Sequence, residues 1–258
     1  MKLKNQDLEL LRIQLVQNIM RELGSDMSVH STILDFGCGD GILVSQLRKE
    51  GYSAFGVDIE NYYESVEKRC KEQGLIKVDE RIFYTISMDQ YRIPFDDDTF
   101  DSVISFYVLE HVQNWEQSLA EIKRVLKPGG TSLHIFPSRY SFIEPHIFVP
   151  LACIFQGYAY LAFWAFLGIR NSYQERLKWS EVTKLNFEYL RTCTKYYPKA
   201  EIRKLVASQF SNVSFVEEIY IKYHFGRVRR CLYPLSKTFP FVSSLFSTFY
   251  TRVLFFQK

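Results

Sequence analysis

The chain of 258 residues contains little cysteine, proline or glycine, with 5, 8 and 12 of each. The cysteines, at positions 38, 70, 153, 193 and 231, form no Cys-x-x-Cys pair. The sequence therefore shows no zinc knuckle or disulfide framework, and it predicts no metal site. Repeats and low-complexity tracts are also missing, and the ordinary composition excludes a collagen-like, coiled-coil or disordered chain. The first 23 residues lack the continuous apolar run of a secretory signal, so we predict a cytoplasmic, reducing setting.

Charge is unevenly distributed along the chain, although the net charge is only +3. Residues 1–136 hold 15 basic and 22 acidic side chains, whereas residues 137–258 hold 17 and 7. A basic half of this kind favours contact with a phosphate-bearing ligand or a membrane surface. Two solvated faces that attract each other would leave the same pattern, so both interpretations stay open.

Helical and strand periodicity alternate through the first half. Leucine and isoleucine at spacings of three and four predict an N-terminal helix within residues 1–24. The later predicted elements are strand 32–36, helix 41–50, strand 52–57, helix 61–73, strands 81–86 and 100–105, helix 115–126, a turn at 127–130, strand 131–136, helix 198–210, and strands 213–221 and 251–256. Alternation of this kind predicts an α/β fold with a doubly wound, seven-stranded sheet.

A glycine-rich segment, Asp35-Phe36-Gly37-Cys38-Gly39-Asp40-Gly41, lies at the first strand-to-helix junction. Glycines allow a tight turn and a close approach to a ligand, and the next helix offers free N–H groups. A dinucleotide fingerprint requires glycine where Ile42 stands, which disfavours a nucleotide-dependent oxidoreductase. Asp58 closes the second strand, where a carboxylate can accept hydrogen bonds from both hydroxyls of an adenosyl ribose.

With these features the sequence resembles the class I S-adenosylmethionine-dependent methyltransferases, in their small-molecule branch. Residues 88–95, Leu109-Glu110-His111-Val112 and Lys127-Pro128-Gly129-Gly130 resemble further motifs of that family in the same order. The resemblance implies a Rossmann-like methyltransferase fold that binds S-adenosyl-L-methionine. The residues that it assigns to cofactor binding are Asp35, Gly37, Cys38, Gly39, Gly41, Asp58, Ile59, Asp89, Gln90 and Phe106.

Methyl transfer from a sulfonium requires the protein mainly to position the nucleophile and to exclude water. If the acceptor is a hydroxyl, a histidine is the side chain best suited to remove its proton near neutral pH. His111 follows the fourth strand and His146 follows the fifth, so both are candidate catalytic residues, with local packing as the alternative role. Glu110 and Glu144 are candidates to orient such a base.

The sequence thus predicts an enzyme that methylates a small, hydrophobic or lipid-linked acceptor at oxygen. The alternative is a regulatory protein that binds the cofactor without turnover. Nucleic acid is not a predicted partner, because no Asn/Asp-Pro-Pro-Tyr-type motif follows the fourth strand and no stacking platform interleaves the basic residues.

Residues 147–169 carry no charged side chain, and this length could span a bilayer. A single crossing here would put the last two strands on the wrong side of the membrane. We therefore predict a helical cap over residues 140–195, inserted after the fifth strand of a single methyltransferase domain. The cap either covers a soluble acceptor or dips into a membrane. The membrane reading is favoured by the apolar stretch 239–249 and by a group of basic residues, Lys222, Arg227, Arg229 and Arg230.

Overall fold

The structure, a computed structural model, describes residues 5–25, 27–87, 89, 91–239 and 241–258. Its strands, in chain order, are β1 (Thr32–Phe36), β2 (Ser53–Asp58), β3 (Phe83–Thr85), β4 (Phe100–Phe106), β5 (Leu126–Pro137), β6 (Ser211–Phe215) and β7 (Thr251–Gln257). Its helices are α1 (Asn5–Glu22), α2 (Ile42–Lys49), α3 (Glu64–Glu72), α4 (Trp115–Val125), α5 (Tyr158–Phe166), α6 (Trp179–Thr192), α7 (Lys199–Ala207), α8 (Glu217–Tyr223), α9 (Arg227–Thr238) and α10 (Phe241–Phe249).

The strands pair into one mixed sheet in the order β3-β2-β1-β4-β5-β7-β6. β1 lies in parallel between β2 and β4, while β7 runs antiparallel between β5 and β6. The predicted doubly wound, seven-stranded sheet is confirmed. Its strand order reverses at β1 and β4, and open α/β sheets bind their ligands beyond the carboxyl ends of strands at such a switch point.

Apolar side chains bury both faces of the sheet. Helices α1, α2, α3 and α8 cover one face, and α4 and α7 cover the other. The apolar side of α4, with Leu119, Ile122 and Val125, is fully buried. Each such side chain contributes about 1.5–3 kcal/mol to folding. The sheet edge that carries the candidate site is therefore held between two packed helical layers.

The predicted turn at 127–130 is wrong, because these residues form a bulge inside β5. Phe100 pairs with Leu126 and Ser102 pairs with Thr131, so β5 holds four residues where β4 holds one. Gly129 has a φ of +77° and donates its N–H to the carbonyl of Lys258 at 3.1 Å. Lys258 thus helps to hold the bulge in the sheet.

The predicted strand at 213–221 is wrong in its second half. β6 ends at Phe215 and α8 begins at Glu217. Between them, the Val216 N–H donates to the Val253 carbonyl at 2.8 Å, and the Val216 carbonyl accepts from the Tyr220 N–H at 3.1 Å. Val216 and Tyr220 are buried in the core, so the helical spacing of four outweighs the apparent alternation.

Two helices follow the fifth strand in the predicted cap segment. α5 and α6 pack against each other around a small apolar cluster that includes Leu161 and Leu190. Among the residues that the structure describes, no helix is long and apolar enough to cross a bilayer. The uncharged run at 147–169 is divided between irregular backbone and the nine residues of α5.

Candidate active site

The glycine loop connects β1 to α2 at the switch point of the sheet. Gly37, Gly39 and Gly41 have φ values of +78°, +52° and +76°, a region that side chains disfavour. A Cβ at Gly37 would lie 2.4 Å from a methyl of Val108, so close packing excludes any larger residue there. A Cβ at Gly39 would meet nothing within 4 Å, so this glycine faces open space. The middle of the loop is therefore a backbone cradle open to a ligand.

Asp58 ends β2 directly beside this loop. Its Oδ2 atom accepts the Gly39 N–H at 2.7 Å, and its Oδ1 atom accepts the N–H groups of Ile59 and Glu60 at 2.8 and 3.2 Å. These bonds orient the carboxylate and leave part of its acceptor capacity unused. The carboxylate is thus held ready to accept hydrogen bonds from hydroxyls of a ligand.

The other residues assigned to cofactor binding occupy different settings. Cys38 is buried, burial raises the pKa of its thiol, and its side chain packs against Gly56. Its backbone N–H, which donates to the Val57 carbonyl at 3.0 Å, is the part of Cys38 that borders the loop.

The remaining predicted cofactor residues lie at the surface or outside the described residues. Ile59 is 53% exposed beside Asp58, and Asp89 is exposed in the turn after β3. Gln90 lies outside the described residues, and cofactor contacts at all of these positions stay predictions.

Asp35 is buried at the end of β1, and no hydrogen bond to its carboxyl occurs among the described residues. Burial, followed by the negative charge of Glu9, raises its pKa to about 8. Glu9 lies on α1 and pairs with Arg12 at 2.7 Å. Sequence reasoning missed both α1 residues, because the periodicity of that helix indicates only apolar packing.

Arg12 also lies over the ring of Phe106, with 5.3 Å between its guanidinium carbon and the ring centroid. Both residues line a cavity of about 520 Å³ at the carboxyl end of β4. The cavity is bounded by three groups of residues, from α1, from the ends of β4 and β5, and from α8 with the loop after it: Leu8, Arg12, Leu15, Phe106, Tyr107, Ile135, Tyr220, His224, Phe225 and Gly226. None of these comes from the predicted cap.

His111 and His146 are brought together by the parallel pairing of β4 and β5. Their rings are 4.8 Å apart between centroids and meet edge to face. The ring of Tyr189 in α6 is 5.5 Å from that of His146. Both candidate catalytic residues therefore share one small site that the α6 segment borders.

Hydrogen bonds orient both imidazoles through their Nδ1 atoms. His111 Nδ1 donates to the carbonyl of Cys193, and His146 Nδ1 donates to Glu144 Oε1, each at 2.7 Å. The same carboxylate oxygen accepts the Tyr196 hydroxyl at 2.6 Å. With Nδ1 as donor, the lone pair of each neutral ring lies on Nε2. Glu144 thus has the orienting position that the sequence suggests for it.

Glu110 differs from Glu144 because it makes no such bond. His111 Nε2 lies 4.0 Å from Glu110 Oε1, beyond hydrogen-bond distance. Both carboxyl oxygens are buried, and neither has a hydrogen-bond partner within the described part of the chain. Burial raises the pKa of Glu110 to about 8.

Burial favours the neutral form of His111. Burial lowers the pKa of His111, and the neighbouring His146 adds to this effect, while the Cys193 carbonyl and the charges of Glu144 and Asp58 oppose it. The influence of Asp58 indicates that the histidine site and the glycine loop are within electrostatic range of each other. A third histidine, His134, belongs to the core and not to this site.

Comparison with known proteins gives matches to part of the chain. A family model described as a methyltransferase domain matches residues 34–133. Ubiquinone biosynthesis O-methyltransferase of Methylococcus capsulatus is 35% identical over 99 residues, 38% of this chain and 40% of that protein. 2-Phytyl-1,4-naphtoquinone methyltransferase of Nostoc punctiforme is 35% identical over 104 residues, 38% and 43% of the two chains. The chain spans about two fifths of the length of the curated relatives it matches.

Solved structures share the fold over nearly the whole chain. YcgJ from Bacillus subtilis aligns with 96% of this chain and 98% of its own, with a TM-score of 0.53 and 15% identity. Phosphoethanolamine N-methyltransferase 2 of Haemonchus contortus, in complex with S-adenosyl-L-methionine, aligns with 95% of this chain and 51% of its own at the same TM-score and identity. Residues 34–133 therefore match a methyltransferase domain, and the strand order, with the glycine loop at the switch point, gives the chain the fold of S-adenosylmethionine-dependent methyltransferases.

Proposed function

We propose that this chain transfers a methyl group from S-adenosyl-L-methionine to an oxygen of a small, hydrophobic or lipid-linked acceptor. The observation that carries the proposal is that two groups of residues lie at the same edge of the sheet. One is the open glycine loop bonded to Asp58, and the other is the pair His111 and His146. Two relatives support the acceptor class, because they are named for ubiquinone biosynthesis and for a phytyl-substituted naphthoquinone.

The residues of the loop fit the cofactor. Gly39 faces open space, so its backbone admits a ligand that any side chain would displace. Asp58 offers carboxylate acceptors for ribose hydroxyls, and buried Asp35 lies at the end of β1 with its carboxyl unpaired in the described part of the chain. When bound, S-adenosyl-L-methionine supplies an electrophilic methyl group, and the chain supplies position and exclusion of water.

His111 and His146 are the proposed catalytic groups on the acceptor side. Their Nδ1 atoms are engaged, so their Nε2 lone pairs are available to a hydroxyl proton. Glu144 stabilises positive charge on His146, because the carboxylate lies 2.7 Å from that ring. The two histidines would remove the proton of the acceptor hydroxyl as its oxygen bonds to the methyl group.

Calorimetric titration with S-adenosylhomocysteine tests the cofactor assignment, with NADH in a parallel titration. We expect binding of S-adenosylhomocysteine alone, and Asp58→Ala should weaken it at least about 100-fold, because two charged hydrogen bonds are lost. Glu60→Ala is the matched control, since it removes a neighbouring exposed acid and keeps the backbone N–H that Asp58 accepts. Unchanged affinity in Asp58→Ala, or binding of NADH, would contradict the proposal. Binding without turnover of labelled methyl donor and quinol-type acceptors would favour the regulatory alternative.

Peripheral contact with a membrane through the cap is a further part of the proposal. The end of α5 exposes a patch made of Phe163, Phe166 and Leu167, each more than half exposed. Aromatic and aliphatic side chains of this kind partition into the headgroup boundary, and the basic second half favours anionic lipid. Such contact would give the active site access to a lipid-linked acceptor in the membrane.

The double variant Phe163→Ser, Phe166→Ser should reduce binding to phosphatidylglycerol vesicles at least about tenfold, because burial of one phenylalanine contributes about 1.5–3 kcal/mol. Sedimentation of protein with vesicles measures the bound fraction. Val78→Ser is the control, since Val78 is 82% exposed in the segment between α3 and β3. Absence of wild-type sedimentation would remove the membrane contact from the proposal and leave the methyl transfer unaffected.

A further inference from the structure

Glu110, His111 and His146 place three metal-ligating side chains around one point. One ligand atom from each lies within 4.8 Å of the other two. Two imidazoles and one carboxylate form a ligand set that suits a divalent transition metal and leaves coordination positions open. The sequence does not predict this metal site, because the three side chains follow two different strands and have no recognisable ligand spacing.

Glu110 supplies an independent sign that this point receives a ligand. Its side chain is fully buried, and within the described residues both carboxyl oxygens lack a hydrogen-bond partner. A buried carboxyl without partners is costly and uncommon in folded proteins. The carboxyl borders the two imidazoles, with Oε1 at 4.0 Å from His111 Nε2. A cation at this point would satisfy the orphaned oxygens.

The two histidines are oriented as metal ligands commonly are. In metal sites the second ring nitrogen usually donates to a carbonyl or carboxylate, which fixes the ring and raises the basicity of the ligating nitrogen. Here His111 donates to the Cys193 carbonyl and His146 donates to Glu144. Glu144 is itself held by the Tyr196 hydroxyl at 2.6 Å. The outer shell of a metal site is therefore complete on both imidazoles.

We propose that Glu110, His111 and His146 bind one divalent transition-metal ion, with Zn²⁺ as the cation that fits the ligand set best. Zinc ligands lie about 2.0–2.2 Å from the metal, so the three atoms close on it by side-chain movements of roughly 1 Å. A fourth position stays open to water or to an acceptor hydroxyl, whose proton the metal makes easier to remove. In this metal-bound form the two imidazoles act as ligands, so the metal takes over from the free imidazoles the activation of the hydroxyl. That role, though not the binding itself, depends on the proposed methyl transfer.

Binding of Co²⁺ and Zn²⁺ to the full chain, produced without a histidine tag and stripped with chelator, tests the site. We expect one Co²⁺ per chain with the visible absorption of a low-coordinate site, displaced by Zn²⁺. Glu110→Gln and His146→Gln should each weaken binding by more than the roughly 10- to 100-fold typical of an outer-shell change, which is the loss expected for Glu144→Gln. Zn²⁺ should raise the melting temperature of the wild type and not that of Glu110→Gln.

His30→Gln is the matched control, because His30 is exposed and lies outside the cluster. Thermal unfolding of each metal-free variant verifies that it is folded before its affinity is compared. Absence of saturable Co²⁺ binding to the wild type would overturn the proposal. Binding that survives in Glu110→Gln and His146→Gln, or that is lost equally in His30→Gln, would also overturn it. None of these measurements uses methyl donor, so their failure is distinct from failure of the proposed methyl transfer.

Discussion

Gly39→Ala should remain folded, with only the strain of its left-handed backbone, and lose most of its affinity for S-adenosylhomocysteine, whereas Gly37→Ala should also overpack the core of the fold. A Cβ at position 39 would meet nothing within 4 Å, so its cost to folding is the about 1–2 kcal/mol of the left-handed backbone. Under the proposed function, the same Cβ would occupy open space that the cofactor needs. We expect the affinity to fall at least about 100-fold, or about 2.7 kcal/mol.

At Gly37 the new Cβ would lie 2.4 and 2.5 Å from the two methyls of Val108. Overpacking of this kind costs typically about 1–3 kcal/mol beyond the backbone strain. Urea unfolding measures the stabilities, and calorimetry measures the affinities. Gly24→Ala is the control for backbone strain alone, because Gly24 has a φ of +74°, no close neighbour and a position after α1. Wild-type affinity in Gly39→Ala would mean that the loop does not hold the cofactor.

Asp35→Asn should make the ligand-free protein more stable at alkaline pH, by an amount on the order of 5 kcal/mol at most. Burial raises the pKa of Asp35 to about 8 in the folded state, from 3.8 in the unfolded chain. Between these two values the folded state binds the proton and the unfolded state does not. The free energy of unfolding is therefore highest with respect to this carboxyl below about pH 4, and it declines as the pH rises toward 8.

Asparagine has nearly the same shape and no proton to lose, so this decline should be absent in Asp35→Asn. Chemical unfolding of both proteins between about pH 5 and pH 9 measures the difference, which should grow by up to about 1.4 kcal/mol per pH unit. Asp40→Asn, an exposed position in the same loop, is the control. Parallel stability curves for the wild type and Asp35→Asn would show that Asp35 is not protonated in the folded protein.

Local sequence features predicted most of the elements because their periodicity is a local property. The strand at 32–36 and the helix ending near 125 have the predicted bounds to within one residue. The prediction failed where a long-range hydrogen bond decides the conformation. Gly129 is held in β5 by the carbonyl of Lys258, and Val216 is turned toward α8 by the carbonyl of Val253. Neither partner is visible from the neighbouring residues.

The sequence by itself determined the order of strands and helices as far as β5, the glycine loop and the carboxylate that ends β2. These depend on backbone preferences and on spacing within a few tens of residues. Only the tertiary structure decided which side chains meet. Parallel pairing of β4 with β5 brings His146 to His111 and Glu110, and the packing of α1 brings Glu9 close to Asp35. Such contacts join residues far apart in the chain, so packing and not local pattern determines them.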